Sequence, residues 1–166
     1  MGTRINVMST IGQSISNAAY AVREDLAASI DVAWDSLGRP GTWWTGPDRI
    51  AIARETRRAK NCEFCAECKR SLSPYTPKGS HDRATELPDV VIDIVHRCVT
   101  DPSRLSEAWF GRVRNGGVSE GEYAEIVGTV ATVVAIDRFL AGLGLDPMEL
   151  PSPQSGDPAR EEPPGA

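Results

Sequence analysis

Apolar residues recur along the first part of the chain at steps of three and four positions. They are Ile11, Ile15, Ala18, Val22, Leu26, Ile30, Ala33 and Leu37. This spacing places them on one face of a helix, so we expect a single amphipathic helix over residues 11–37. Ser9 or Thr10 can cap its start, and Gly38 with Pro40 ends it.

Polar caps and helix-breaking residues then define shorter helices. Thr45 is a suitable cap and Pro47 a suitable first-turn residue for a second helix that runs to about Lys60. Asn61 either ends that helix or caps a short third helix. Ser73-Pro74 stops the third helix, because the residue before a proline avoids helical geometry.

The second half of the chain begins with a polar connection over residues 73–87. Pro88 opens a fourth helix. Asp101-Pro102 ends it and starts a fifth helix, which terminates at Asn115-Gly116-Gly117. A segment of this kind, with several caps and breakers between apolar stretches, is typical of short packed helices.

The sharpest start signal is Ser119 with Glu122 three residues later, a capping box before a long apolar helix. Residues 147–166 hold six of the twelve prolines and few apolar groups, which indicates a disordered or extended tail. No segment alternates at period two. We therefore predict an all-α bundle of about six helices without a sheet, with a domain at 1–145 and the proline-rich tail at 146–166.

Composition and charge narrow the class of protein. Hydrophobic residues make up 40% and charged residues 25% of the 166 residues, an ordinary globular balance. The net charge of −5 repels a phosphate backbone, so we expect no nucleic-acid partner. Residues 1–20 lack the apolar segment of a signal peptide, and no stretch is apolar enough to span a membrane. We expect a cytoplasmic protein without a membrane partner.

Three of the four cysteines lie within seven residues, at positions 62, 65 and 68. In a reducing compartment such clustering favours redox chemistry or metal binding over a structural disulfide. If Asn61 caps the third helix, Cys62 lies in its first turn, where free N–H groups and the helix dipole lower a thiol pKa. Cys65 lies one turn further on. We predict that Cys62 and Cys65 are the catalytic residues and cycle between a dithiol and a disulfide.

Other uses of the cysteines stay open. Cys62, Cys65 and Cys68 repeat the start of a bacterial iron–sulfur motif, with Cys98 as a remote fourth ligand. A zinc site could use His81 in place of Cys98. The cysteines could also be small buried hydrophobic residues. Three residues at steps of three spread over a wide arc of a helix, which is awkward for a tetrahedral centre, so we predict no metal and no cofactor.

Candidate acid–base residues are few, since the chain has only two histidines. His96 lies among valines and isoleucines, where a histidine is more often a satisfied core residue than a proton relay. His81 lies in a polar loop and is expected at the surface. Glu55, on the helix before Cys62, is the best-placed carboxylate. We name Glu55 and His96 as the candidate proton relay.

The phrase Asn61-Cys62-Glu63-Phe64-Cys65, after a polar helix, resembles the site of the alkylhydroperoxidase D and carboxymuconolactone decarboxylase superfamily. The downstream segments follow the order of its peroxidase-related members, and the resemblance covers about residues 10–145. The segments that carry it are 91–102, 115–119, 125–127 and 137–144. The resemblance implies an all-α fold of packed antiparallel helices, assembled as trimers or hexamers.

The resemblance also implies peroxide reduction, with Cys65 as the cysteine that meets the peroxide, whereas the helix-terminus argument favours Cys62. The chain departs from the family pattern at two positions. Lys69 occupies the place of the family histidine, and Ile50 that of the family glutamate. The family proton relay is therefore not carried over to this chain.

The expected function is a thiol-dependent peroxidase that reduces alkyl or hydrogen peroxides through Cys62 and Cys65. Its expected partners are a peroxide substrate, a thiol or dithiol reductant protein and further copies of the same chain. The alternatives are a metal or iron–sulfur module, and a redox-silent relative that serves as a scaffold or acts on a lactone.

Overall fold

The computed structural model describes residue 15 and residues 21–161, which form six α-helices and no strand. The prediction of an all-α protein of about six helices is confirmed. None of the described helices is long and apolar enough to cross a membrane. The helices are α1 (Glu24–Ser36), α2 (Gly46–Ala59), α3 (Glu63–Arg70), α4 (Asp89–Thr100), α5 (Glu107–Asn115) and α6 (Glu120–Gly142), with a 3₁₀ turn at Pro102–Arg104.

Helices α2, α4 and α6 form the centre of the bundle, and each of them contacts the other two. Helix α1 packs on α6, and α3 packs on α4. One apolar cluster joins α2, α4, α5 and α6 around fully buried residues such as Ile52, Val95 and Ile126. A second cluster joins α1, α2 and α6 around Trp34 and Leu140. The short helix α3 is thus held against the central layer.

Two helix starts match the predicted caps. The Thr45 hydroxyl accepts a hydrogen bond from the Asp48 N–H, and the Asp48 carboxylate accepts one from the Thr45 N–H, which closes a capping box on α2. Ser119 and Glu122 close the same motif on α6. Each motif satisfies donors that the first helical turn leaves unpaired.

The prediction of one continuous helix over 11–37 is wrong at residues 21–23, which are not helical. Arg23 has extended geometry, with φ −61° and ψ 137°, and α1 begins at Glu24. An apolar repeat cannot reveal such a break, because the stripe continues in register on both sides. The proposed caps Ser9 and Thr10 lie outside the described residues.

The fifth helix also begins later than predicted. Residues Pro102–Arg104 form a separate 3₁₀ turn, and Ser106 caps α5 by accepting a hydrogen bond from the Trp109 N–H at 3.2 Å. Proline suits either kind of first turn, since its missing N–H is not needed there. The end of α5 at Asn115, before two glycines, agrees with the prediction.

Of the two states expected for the tail, disordered or extended, residues 147–161 adopt the extended one. Residues 147–161 contain no helix or strand, but they are extended along the bundle rather than free of it. Met148 is buried in the second apolar cluster. Backbone N–H groups donate to the α1–α2 connection, from Gln154 to Gly38 at 2.7 Å and from Arg160 to Thr42 at 2.8 Å.

Candidate active site

Cys62 is the N-cap of α3, a role that the sequence assigned to Asn61. Its backbone is extended, with φ −78° and ψ 119°, and the helix starts at Glu63. The Cys62 Sγ accepts a hydrogen bond from the Cys65 N–H at 3.4 Å, as a serine or aspartate oxygen would at a usual cap. The sulfur therefore lies at the positive end of the helix dipole.

A second backbone donor also reaches Cys62. The Asp82 N–H donates to its Sγ at 3.4 Å, and His81 Nδ1 lies 3.8 Å away. Burial opposes ionisation of Cys62, but the two backbone donors and His81 together outweigh burial and lower the pKa of this thiol. Cys62 is thus the more acidic of the pair, as the helix-terminus argument predicted.

Cys65 lies one turn further along α3 and is also buried. Burial raises the pKa of its thiol, and the neighbouring Cys62 raises it further. Its Sγ lies 3.2 Å from His96 Nδ1 and 3.3 Å from His81 Nδ1. The two cysteines therefore differ in ionisation, with a thiolate-prone sulfur at 62 and a protonated thiol at 65 that contacts both histidines.

The candidate relay residues Glu55 and His96 meet behind Cys65. His96 Nε2 lies 3.3 Å from Glu55 Oε1, and both side chains are fully buried. Burial lowers the pKa of His96, and the charge of His81 lowers it further. A neutral His96 that donates its Nε2 proton to Glu55 presents the Nδ1 lone pair to Cys65. The arrangement suits a base that accepts the Cys65 proton.

Glu55 also fixes the loop that carries His81. Its carboxylate accepts hydrogen bonds from the Ala84 N–H at 3.0 Å and from the Thr85 hydroxyl at 2.8 Å. Three donors therefore converge on one buried carboxylate, which suits the burial of a charge. Glu55 thus connects the polar connection between α3 and α4 to the centre of the bundle.

The expectation that His81 lies at the surface is wrong. The side chain is 9% exposed, and its Nε2 lies 3.1 Å from the Asp93 carboxylate on α4. Burial opposes the charged form, but Asp93 and Cys62 outweigh it and raise the pKa of His81. His81 is therefore the histidine that favours the protonated form, in contrast to His96.

Asp93 is the carboxylate that sequence reasoning missed. It also accepts hydrogen bonds from Trp109 Nε1 at 2.9 Å and Arg97 Nε at 2.7 Å. Burial opposes its ionisation, but His81, Trp109 and Arg97 outweigh burial and lower the pKa of this carboxyl. Asp93 and His96 are three residues apart on α4, so they share a helix face, and this spacing was a signal available in the sequence.

Local contacts bring His81 from its loop to the sulfurs. The Asp82 N–H donates to Cys62, and the Asp82 carboxylate accepts a hydrogen bond from the Glu63 N–H at 3.0 Å. Asp82 therefore contacts the start of α3 through both its backbone and its side chain. The Phe64 ring packs edge-on against His81, with centroids 5.1 Å apart. A Cβ at Gly79 would lie 2.7 Å from the Phe64 ring, so only glycine permits this approach.

The four possible ligand atoms of Cys62, Cys65, His81 and His96 all lie within 4.8 Å of one another. The second nitrogen of each histidine faces a carboxylate, as in many zinc sites. Two thiolates and two imidazoles are a suitable donor set for tetrahedral zinc. Compared with the predicted zinc set, His96 takes the place of Cys68. Compared with the predicted four-cysteine set, His81 and His96 take the places of Cys68 and Cys98.

Cys68 and Cys98 are separate from this group within the part of the chain that is described. Burial raises the pKa of the Cys68 thiol. Burial raises the pKa of Cys98 to about 11, and its thiol interacts with the Tyr123 side chain. The predicted four-cysteine cluster is therefore wrong, because Cys98 faces a different part of the core.

A cavity of about 260 Å³ lies over the two sulfurs, and both Cys62 and Cys65 line it. Lys69, at the position of the family histidine, also lines this cavity and is exposed. Ile50, at the position of the family glutamate, is buried in the second apolar cluster. The acid–base groups of this site come from α2, α4 and the α3–α4 connection instead.

No protein-family model, curated protein or solved structure matches this chain. The resemblance to the alkylhydroperoxidase D superfamily stays a prediction. In the site itself both histidines contact the Cys65 sulfur, and each also faces a carboxylate. His81 faces Asp93, and His96 faces Glu55.

Proposed function

We propose that this protein is a thiol-dependent peroxidase that reduces alkyl or hydrogen peroxides through Cys62 and Cys65. The observation that supports it is the contrast between two adjacent sulfurs. Cys62, whose pKa is lowered, lies beside His81, whose pKa is raised. Cys65, whose pKa is raised, lies beside His96, whose pKa is lowered. Nucleophilic attack needs a thiolate, whereas the second cysteine must keep its proton until a base removes it.

In the first step the Cys62 thiolate attacks the terminal oxygen of the hydroperoxide. The O–O bond breaks, Cys62 becomes a sulfenic acid, and an alkoxide or hydroxide leaves. The protonated His81 gives its Nδ1 proton to this leaving group, which departs as an alcohol or water. Asp93 holds His81 in the charged form that this step requires.

In the second step His96 Nδ1 accepts the Cys65 proton, and the new thiolate attacks the Cys62 sulfur. The S–O bond breaks and the S–S bond forms. The departing hydroxide takes the proton from His96 and leaves as water. The net change is one peroxide reduced by two electrons and one disulfide formed.

A thiol or dithiol reductant protein then returns the disulfide to two thiols, so the cycle needs no bound cofactor. Because it needs reduced thiols at rest, we place the protein in the cytoplasm. The proposed homo-oligomer rests on the family resemblance alone, because single exposed apolar residues such as Val32 and Leu72 are normal on a protein surface.

Stopped-flow peroxide consumption by single cysteine variants tests the proposal. We expect Cys62→Ser to consume no peroxide, and Cys65→Ser to react once and stop as a sulfenic acid that a dimedone probe labels. The matched control is Cys68→Ser, on the same helix but outside the donor group, which should react like the unaltered protein. Unchanged consumption by both Cys62→Ser and Cys65→Ser would refute the proposal. A thiol titration that shows no reversible oxidation of Cys62 and Cys65 would favour a redox-silent protein instead.

A second candidate function is a divalent metal centre, and the specific observation in its favour is the donor group of two sulfurs and two imidazoles within 4.8 Å. Cys62, Cys65, His81 and His96 would hold the ion, with Asp93 and Glu55 orienting the imidazoles. Elemental analysis of protein purified without chelator separates the two functions. One tightly held zinc per chain that blocks thiol oxidation favours the metal centre, and metal-free protein favours the peroxidase.

A further inference from the structure

The cavity over Cys62 and Cys65 has an unusual charge for this protein. Three cationic side chains line it, from Lys60, Lys69 and Arg138, and no carboxylate does. The chain as a whole carries a net charge of −5. The approach to the two sulfurs is therefore locally positive on an acidic protein, which attracts an anion.

The charge of these three groups is only partly neutralised. Lys60 Nζ lies 3.1 Å from the Asp137 carboxylate, which is itself shared with Arg57. Lys69 and Arg138 make no ion pair with any of the described residues. Two exposed cations thus remain available to a ligand that enters the cavity.

The remaining lining favours a small organic molecule over a bare inorganic anion. Ala59, Ala66, Val99 and Val134 contribute apolar surface beside the sulfurs. At about 260 Å³ the cavity is smaller than the roughly 300–1,000 Å³ of pockets that hold drug-sized ligands. A ligand with a short carbon skeleton and one anionic group matches both the apolar lining and the cations.

We propose that this cavity selects a short-chain organic hydroperoxide that carries a carboxylate. The proposal rests on the peroxidase function above and specifies its substrate class. The carboxylate is held by Lys69 and Arg138, the carbon skeleton lies against the apolar lining, and the terminal peroxide oxygen meets Cys62. The redox steps are those of the peroxidase cycle, and the products are the corresponding hydroxy acid and water.

The expected size of the effect follows from the distance between the cation and the carboxylate. A single cation at about 6 Å from a carboxylate in water changes a rate or binding constant by about threefold. Removing both Lys69 and Arg138 should therefore lower kcat/KM for the carboxylate substrate by about tenfold. The preference should also weaken at high salt, because exposed charges are screened.

The experiment compares tert-butyl hydroperoxide with its derivative in which a carboxylate replaces one methyl hydrogen. The variants are Lys69→Gln, Arg138→Gln and the double variant, and the matched control is Arg39→Gln, an exposed cation that does not line the cavity. We expect the unaltered protein and Arg39→Gln to prefer the carboxylate derivative, measured as the ratio of the two kcat/KM values, and the double variant to lose that preference. Equal kcat/KM for both substrates in the unaltered protein would overturn the proposal.

Calorimetric binding of the hydroxy acid, which cannot be reduced, separates this proposal from the peroxidase function. Salt-sensitive binding that the double variant loses supports the anion site even if no hydroperoxide is consumed, and only the peroxidase function then fails. No binding, or equal binding by the unaltered protein and the double variant, contradicts the anion site.

Discussion

Replacement of Glu55 by glutamine and by leucine should affect stability very differently. The carboxylate accepts hydrogen bonds from the Ala84 N–H, the Thr85 hydroxyl and His96 Nε2, and it is fully buried. In Glu55→Gln the amide oxygen can still accept from Ala84 and His96. The Thr85 hydroxyl can rotate and accept a hydrogen bond from the new amide N–H.

The magnitudes follow from how many groups lose a partner. Glu55→Gln exchanges charged hydrogen bonds for neutral ones, which should cost about 1 kcal/mol. Glu55→Leu leaves the buried His96 N–H and two partly buried donors without an acceptor. At about 1–3 kcal/mol for the first and about 1 kcal/mol for each donor that water can reach, the loss should be about 3–5 kcal/mol. That loss is a large part of the roughly 5–15 kcal/mol stability of a typical domain.

Urea unfolding followed by far-ultraviolet circular dichroism measures both variants. With a slope of about 2 kcal/mol per molar urea, the midpoint should fall by about 0.5 M for Glu55→Gln and by about 2 M for Glu55→Leu. A small, equal shift for both variants would show that the carboxylate does not satisfy these donors. A large, equal shift would mean that charge matters more than hydrogen-bond pairing.

Three other changes test separate contacts. His81→Gln removes the cation beside Cys62, so the pH midpoint of Cys62 alkylation by iodoacetamide should move upward from its lowered position, and an unmoved midpoint would contradict the assigned role. Asp137→Asn weakens the pairs with Arg57 and Lys60, which are partly exposed, so thermal unfolding should show a loss of only about 1–2 kcal/mol. Met148→Ala should cost about 2 kcal/mol or more in urea unfolding if the tail is docked as described, and no change would argue that the tail is free.

The predicted helix starts that proved correct depend on short-range chemistry. The capping boxes of Thr45 with Asp48 and of Ser119 with Glu122 involve residues three apart, so the sequence contains the whole motif. The break at residues 21–23 and the docking of Met148 depend on what packs alongside. Neither leaves a local signal, because the apolar repeat continues through the first and the proline-rich composition hides the second.

In the candidate site, too, local spacing reveals some residues, whereas the contacts of the others depend on packing. Cys62 and Cys65 are evident because their spacing alone places both sulfurs on one turn. Glu55 and His96 are distant in sequence, and their contact depends on the packing of α2 against α4. The prediction that His81 lies at the surface is wrong because its burial depends on the contacts of Asp82 and Phe64, which a polar loop sequence does not reveal.

Mass spectrometry of the protein after one equivalent of peroxide, under denaturing alkylation, shows whether Cys62 and Cys65 form a disulfide. We expect one Cys62–Cys65 disulfide per chain, with Cys68 and Cys98 alkylated as free thiols, and full recovery of the four thiols after reduction. Cys62 and Cys65 still free after exposure to peroxide, or a disulfide to Cys68 or Cys98 in their place, would contradict the proposed peroxidase function.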